Sequence, residues 1–238
     1  MEATDYYSVM KIHALICTRG RDLSLTTKKL VSYLSRCKIE VKLIVGSESI
    51  FAGYSQAFKK LNADPDDIII MCHDDIDILL RDDYFIQLLM DELADPKTGF
   101  IGPAGAKLLA SRGIWWDQEQ WVRGNCRGLA YHGDEFGPAC DATYYGKYGP
   151  AVVLDGVFLA AKARVLDTIG LEKPDYLIGE WDFYDIHYTH SAKLAGFVNK
   201  VSPIILLHNS KGELVGRNSW HVNREQFVTK YKTQFPII

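Results

Sequence analysis

The sequence predicts an α/β fold with a mainly parallel central sheet flanked by helices. Short apolar runs rich in β-branched residues recur along its first half, amphipathic segments separate them, and Gly, Pro and Asp punctuate the junctions. That alternation marks βα units feeding a parallel sheet. At 238 residues the chain can bury a large core, and no linker, repeat or low-complexity tract divides it, so a single domain is expected.

The run IHALIC (12–17) reads as the first strand, followed by a helical face of Leu23, Thr27, Leu30, Val31 and Leu34. VKLIVG (41–46) is the second strand, with Ile50, Tyr54, Ala57, Phe58 and Leu61 marking its helix, and DIIIMC (67–72) is the third. Phe85, Leu88, Leu89 and Leu93 mark another helix, which Asp95-Pro96 ends ahead of a strand and turn in GFIGPAG (99–105). From Ser111 to Pro150 no clean periodicity survives, and glycines, lone charges and aromatics such as Trp115, Trp116, Trp121 and Tyr144 dominate. Such an insertion suits a binding loop or lid whose rings meet sugars, and equally a satellite cluster packed under a loop. Order returns with AVVLDGVFLAAKARVLDTIG (151–170), a helix over Asp182 to Ala195, a strand VSPIILLH (201–208) and an amphipathic tail from Val222 to Tyr231.

Composition narrows the function classes. A net charge of −3 and a pI near 6.2 give no electrostatic footprint for nucleic acid. The five cysteines are scattered without paired metal spacing, which points to free thiols in a reducing compartment, with Cys17 and Cys72 as buried strand residues. No secretory leader pattern and no membrane-spanning apolar run are present, so a cytoplasmic location is expected.

The most informative stretch is IIIMCHDDIDILL (68–80), an apolar run that ends in His73, Asp74, Asp75 and Asp77. Acids so close together repel one another unless a cation sits among them, and a divalent ion bridging to phosphate oxygens is the usual resident. The same aspartates also suit a solvated turn that caps the helix around Tyr84 to Leu93.

The order of segments resembles that of the GT-A, family 2-like glycosyltransferases. The units from Ile12 to Cys72, the 73–77 cluster, Asp155-Gly156, the helix opening near Glu180 and the strand ending in His208 follow the family's order. That resemblance implies one domain, with a nucleotide-binding half over about 1–105 and an acceptor and catalytic half over about 106–238. It implies transfer of a sugar from a nucleoside-diphosphate sugar, a UDP-sugar first, to a saccharide or glycoconjugate acceptor, with inversion and with Mn2+ or Mg2+.

Carried over by position, the resemblance makes Asp75 the first metal ligand, with Asp77, His73 and His208 as further candidates. Counting back from Ala195-Gly196 puts the general base on Asp185, with Tyr184 where Glu is common and His187 where a second Asp is common. Glu180 and Asp182 are rivals for the base, and an acidic helix N-terminus favoured by the macrodipole explains all three without catalysis. Thr18, Arg19, Glu48 and Asp74 fall where donor-binding residues lie. Asp155 and Gly156 would bind the acceptor, Asp155 through a sugar hydroxyl, and Trp115, Trp116 and Trp181 would stack on its rings; a simple Asp-Gly turn is the competing reading of the former pair.

Two other readings compete. An apolar strand followed by Asp75-Ile76-Asp77 imitates a haloacid-dehalogenase-like phosphatase, although Leu79 stands where that family expects Thr or Val. A non-catalytic nucleotide-sugar or carbohydrate-binding module is compatible with every motif. A sugar nucleotidyltransferase fits less well, because no Gly-rich basic loop follows IHALIC.

Overall fold

The computed structural model describes residues 10–18, 20, 22–109, 111–210 and 218–234. Its first half runs β1 (Ile12–Thr18), α1 (Leu25–Arg36), β2 (Glu40–Val45), α2 (Ile50–Leu61), β3 (Ile68–Cys72), β4 (Ile76–Ile78), α3 (Asp82–Glu92), β5 (Thr98–Gly102) and β6 (Ala104–Ala106). Then come α4 (Gln118–Val122), β7 (Cys126–His132), β8 (Asp141–Gly146), β9 (Gly149–Ala151), β10 (Val153–Leu154) and β11 (Phe158–Lys162). The chain continues through α5 (Ala163–Ile169), α6 (Tyr184–Leu194), β12 (Val198–Val201), β13 (Leu206–His208) and α7 (Asn218–Tyr231), with a 3-10 turn over Lys232–Gln234.

The alternating units form where the sequence puts them, because each buries one set of apolar residues. Strand β3 is buried throughout. Its Ile68, Ile70 and Cys72 pack with Leu30, Leu34, Phe85 and Leu89 of α1 and α3, whereas Ile69 and Met71 pack with Phe51, Tyr54 and Tyr188 of α2 and α6. Each fully buried aliphatic side chain contributes about 1.5–3 kcal/mol, so helices on both faces lock the strand. Ser24 and Ser49 cap α1 and α2 by accepting from the backbone N–H of Thr27 and Ala52.

The main sheet has the order β2-β1-β3-β11-β5-β12-β9 and is mixed rather than mainly parallel. β1 runs parallel to β2 and β3, but β11 lies antiparallel between β3 and β5. The chain enters β11 at the carboxyl end of β3, where Phe158 pairs with Cys72, and can only run back down. An apolar run carries no sign of its direction, so the sequence could not reveal this.

A second sheet, β10-β6-β7-β13-β4 with β8 on β7, continues from the first. Two of the crossings occur at prolines. Pro103 separates β5 from β6 and Pro203 lies between β12 and β13, so the expected turn in 99–105 joins two strands in different sheets, and the expected strand 201–208 is divided between the end of β12 and β13. Proline has no N–H for the ladder, and the chain leaves the sheet there. The supposedly irregular stretch from Ser111 to Pro150 supplies α4, β7, β8 and part of β9. In β7 the inward residues Cys126, Gly128 and Ala130 are small, so their alternation with Arg127, Leu129 and Tyr131 carries little hydrophobic contrast. All five cysteines are free; Cys72 is buried as expected, whereas Cys17 is only partly so. Among the described residues no helix is long and apolar enough to cross a membrane.

Asn199 ties these layers together from a fully buried position. Its Oδ1 accepts from Phe100 N at 3.0 Å, and its Nδ2 donates to Val152 O at 3.0 Å and to Thr189 O at 2.7 Å. Asn199→Ala leaves the Phe100 N–H and two carbonyls without their side-chain partner, at about 1–3 kcal/mol for each buried group, and urea unfolding is expected to show a loss of about 2–4 kcal/mol.

Candidate active site

The strand ends of the two sheets bring His73, Asp75 and His208 together. His73 and Asp75 occupy the crossing from β3 to β4, and His208 ends β13, which pairs antiparallel with β4 so that His208 faces Ile76. His73 Nδ1 lies 3.4 Å from His208 Nε2, and Asp75 Oδ1 lies 3.3 Å from His208 Nε2 and 3.7 Å from His73 Nδ1. Ligand atoms sharing one divalent ion at about 2.1 Å stand about 3.0–3.5 Å apart, so this triangle fits such an ion. Asp75 Oδ1 is buried, and no donor reaches it in hydrogen-bonding geometry. Burial alone would raise the Asp75 carboxyl, but the imidazoles of His208 and His73 outweigh it and hold it below the usual carboxylate range. For His73 burial, then His208, lowers the imidazole pKa, which favours the neutral ring that a metal needs.

Asp77 does not join this group. It sits in mid-β4 on a surface depression shared with Lys28, Lys29, Ser32 and Arg36, away from the two histidines. A phosphatase pairing of Asp75 with Asp77 therefore has no common pocket. The Asp74 carbonyl accepts from Thr27 Oγ1 at 2.9 Å, and after burial its charge is what pushes Cys17 up to about 12. That puts Asp74 beside the end of β1 rather than among the possible metal ligands.

Asp155 and Gly156, between β10 and β11, meet the first turn of α6. Gly156 N donates to Asp185 Oδ2 at 2.9 Å, and the Tyr184 hydroxyl donates to Gly156 O at 2.9 Å. A Cβ on Gly156 would lie 2.4 Å from the Tyr184 hydroxyl oxygen, so this close approach excludes any side chain. Tyr184 also contacts His73 Nε2 at 3.1 Å, which links this peptide to the histidine pair. Burial, then the charge of Asp155, pushes the Asp185 carboxyl up to about 7.

The two rivals of Asp185 are engaged elsewhere. Glu180 forms an ion pair with Lys173, and its carbonyl accepts from Ile50 N and Ser49 Oγ at the start of α2. Asp182 is buried and accepts from Ser219 Oγ at 2.6 Å, while its carbonyl accepts from Asn223 Nδ2. Both serve to dock the loop before α6 onto α2 and α7. His187 turns to Tyr176, whose hydroxyl lies 2.8 Å from its Nδ1. Phe183, at φ +69°, opens α6 in the left-handed region that non-glycine residues avoid. Its buried ring, 5.5 Å from Trp220 and 5.6 Å from Phe227, holds it there.

The model of a glycosyltransferase-like family matches residues 27–231. The chain belongs to that family. The glycosyltransferase-like fold also matches the structure of GalNAc-T7 with UDP, GalNAc and Mn2+, at a TM-score of 0.56 and 10% identity, over 94% of this chain and 48% of that one. At that identity the likeness is one of fold, a GT-A-like arrangement here with a mixed sheet. Weaker likenesses are A197 from STIV, at a TM-score of 0.43 and 11% identity over 84% of this chain and 83% of that one. A glycosyltransferase involved in glycosylation of the major capsid of PBCV-1 gives 0.36 and 9% over 92% and 99%. No curated protein sequence matches this one.

In this glycosyltransferase-like protein the expected donor side lies at the ends of β1 and β2. Thr18 is buried at the end of β1, and Glu48 is exposed in the turn after β2. Arg19 lies outside the described residues. The expected aromatic contacts divide. Trp115 is 1% exposed, with its ring 5.0 Å from Tyr145, so it belongs to the core and cannot stack on a ligand. Trp116 is partly buried against Trp115 and Trp220, whereas Trp181 is 39% exposed just ahead of α6. Sequence reasoning missed Tyr184 as a site residue; its one signal was an aromatic hydroxyl at a position where acidic residues are common.

The raised Asp185 carboxyl has a stability signature. An unfolded Asp titrates near 3.9, so the folded state holds the extra proton between about pH 4 and 7, and wild-type stability falls as pH rises through that window. Three pKa units are worth about 4 kcal/mol, and partial solvation of the half-buried group reduces this to roughly 2 kcal/mol. Asp185→Asn removes the ionisation cost. Thermal melts of metal-free protein are expected to show the variant gaining about 4–8 °C more over wild type at pH 8 than at pH 4.5. An equal offset at both values contradicts the assignment.

Proposed function

We propose that the protein transfers a sugar from a nucleoside-diphosphate sugar, with uridine as the first candidate base, to a hydroxyl of a saccharide or glycoconjugate acceptor, with inversion at the anomeric carbon. The observation that carries this reading is the juxtaposition, through Gly156 and Tyr184, of the His73–Asp75–His208 triangle with the Asp185 carboxyl. Family membership and fold support glycosyl transfer, and the GalNAc-T7 neighbour contains UDP, GalNAc and Mn2+.

In this mechanism His73, Asp75 and His208 would hold a divalent ion, which when bound offsets the charge of a departing diphosphate as a Lewis acid. Two imidazoles in the set favour Mn2+ over Mg2+. Thr18, Glu48 and Asp74 are the candidates for contact with the donor, as the sequence position of Arg19 also suggests for that residue, and Asp155 accepts from a sugar hydroxyl. Asp185 takes the proton of the acceptor hydroxyl as the new bond forms. Its pKa of about 7 suits a base working near neutrality, where the carboxylate is both present and basic enough to accept. Trp181 offers an exposed ring beside α6 for an acceptor sugar.

UDP binding is expected to strengthen at least tenfold on adding Mn2+, and Asp75→Ala to abolish that gain while Asp74→Ala retains most of it. Calorimetric titration with and without chelator measures both, and a wild-type affinity indifferent to chelator rules out the metal bridge.

Removing the base should slow the chemical step without touching the donor. Asp185→Asn is expected to lower transfer from UDP-sugars by roughly a hundredfold or more at nearly unchanged donor affinity, while Glu180→Gln and Asp182→Asn keep the chemistry in whatever fraction stays folded. Wild-type turnover should also fall about tenfold per pH unit below about 7, since the protonated carboxyl cannot accept. Near wild-type transfer by Asp185→Asn would reassign the base.

A further inference from the structure

We propose that Tyr184 is a positioning residue that fixes the tautomer of His73, so that the bare Nδ1 of His73 faces Asp75 and His208. The inference deepens the metal-dependent reading above and rests on it.

The argument is a count of protons. A tyrosine hydroxyl carries one hydrogen and can also accept. The Gly156 carbonyl, 2.9 Å from the Tyr184 hydroxyl, can only accept, so the hydroxyl hydrogen points there. His73 Nε2, 3.1 Å from the same oxygen, must then be the donor. A neutral imidazole has one N–H, and with Nε2 protonated the lone pair is on Nδ1. Nδ1 is the nitrogen turned toward His208 Nε2 and Asp75 Oδ1, at 3.4 Å and 3.7 Å. A metal ligand must present a lone pair, and the hydrogen bond at the other ring nitrogen decides which nitrogen does so.

Without the hydroxyl the choice would go the other way. His208 Nε2 and Asp75 Oδ1 both face Nδ1, at 3.4 Å and 3.7 Å, and either offers an acceptor that would favour the proton on Nδ1, where it would block that position. Tyr184 is well placed to prevent this. It is 5% exposed, with its ring packed among those of Phe51, Tyr54 and Tyr188 at centroid distances of 6.5, 5.9 and 6.0 Å. Burial also keeps its phenol protonated, well above the usual tyrosine pKa. The relay has a second consequence. Gly156, whose carbonyl accepts from the Tyr184 hydroxyl, gives its N–H to Asp185, so one residue contacts both the group that sets the His73 tautomer and the candidate base.

Long-range proton–nitrogen NMR on metal-free protein with labelled histidine, at pH 8, reads the tautomer directly, with His73→Gln assigning the signal. Wild-type His73 is expected to carry its proton on Nε2, and Tyr184→Phe to move it wholly or partly to Nδ1. Mn2+ binding followed by electron paramagnetic resonance should weaken about 10–100-fold in Tyr184→Phe, as for other groups that orient a ligand. Tyr184→Phe added to His73→Gln should cause no further loss, because the tyrosine acts through the histidine. A wild-type His73 protonated on Nδ1 overturns the proposal without need of a variant. So does a folded Tyr184→Phe that keeps both the tautomer and the Mn2+ affinity, and in that case the metal reading stands. Wild-type protein that binds no Mn2+ overturns the metal reading and this inference together.

Discussion

The site depends on one close approach, that of the Gly156 peptide to the first turn of α6. Both backbone polar groups of Gly156 are used, the N–H by Asp185 and the C=O by Tyr184. Neither bond could form if residue 156 carried a side chain, since its Cβ would lie 2.9 Å from Asp185 Cβ and closer still to the tyrosine hydroxyl. The glycine is thus required by space rather than by backbone conformation. Through this contact the turn between β10 and β11, the helix that carries the acid and the histidine at the end of β3 hold one fixed register.

The rest of the fold keeps that contact in place. Asn199 joins β5, the segment between β9 and β10, and α6. Asn223, fully buried on α7, accepts from Ile178 N and Gly179 N and donates to the carbonyls of Gly179 and Asp182, which braces the loop leading into α6. Phe183 then enters the helix in an unfavourable conformation that its aromatic neighbours hold. Buried amides of this kind cost desolvation unless every donor and acceptor is used, and here they bind together segments far apart in sequence.

The location of the second sheet explains why the functional candidates gather. Where β3 passes into β4, β12 into β13 and β9 into β10, the chain leaves the first sheet for the second. His73 and Asp75 lie at the first of these crossings, His208 ends the strand after the second, and Asp155 follows the strand after the third. Ligands collect outside strand carboxyl ends in open α/β sheets, and in this fold the second sheet adds His208 to that edge.

The sequence by itself determined the βα units from Ile12 to Leu93, because each has a local period, and Ser24 and Ser49 cap the first two helices. It also marked the acid-bearing end of β3 and the segment that became α6, since an abrupt change from apolar to charged residues is visible without any partner. Only the tertiary structure decided the antiparallel placement of β11, the change of sheet at Pro103 and Pro203, and the burial of Trp115. Each of those depends on a neighbour distant along the chain. The same holds for the sorting of the acids. Asp75, Asp77, Glu180, Asp182 and Asp185 are chemically alike in a sequence, and what separates them is what lies beside each: two imidazoles, a basic surface depression, Lys173, Ser219 and the Gly156 N–H, respectively.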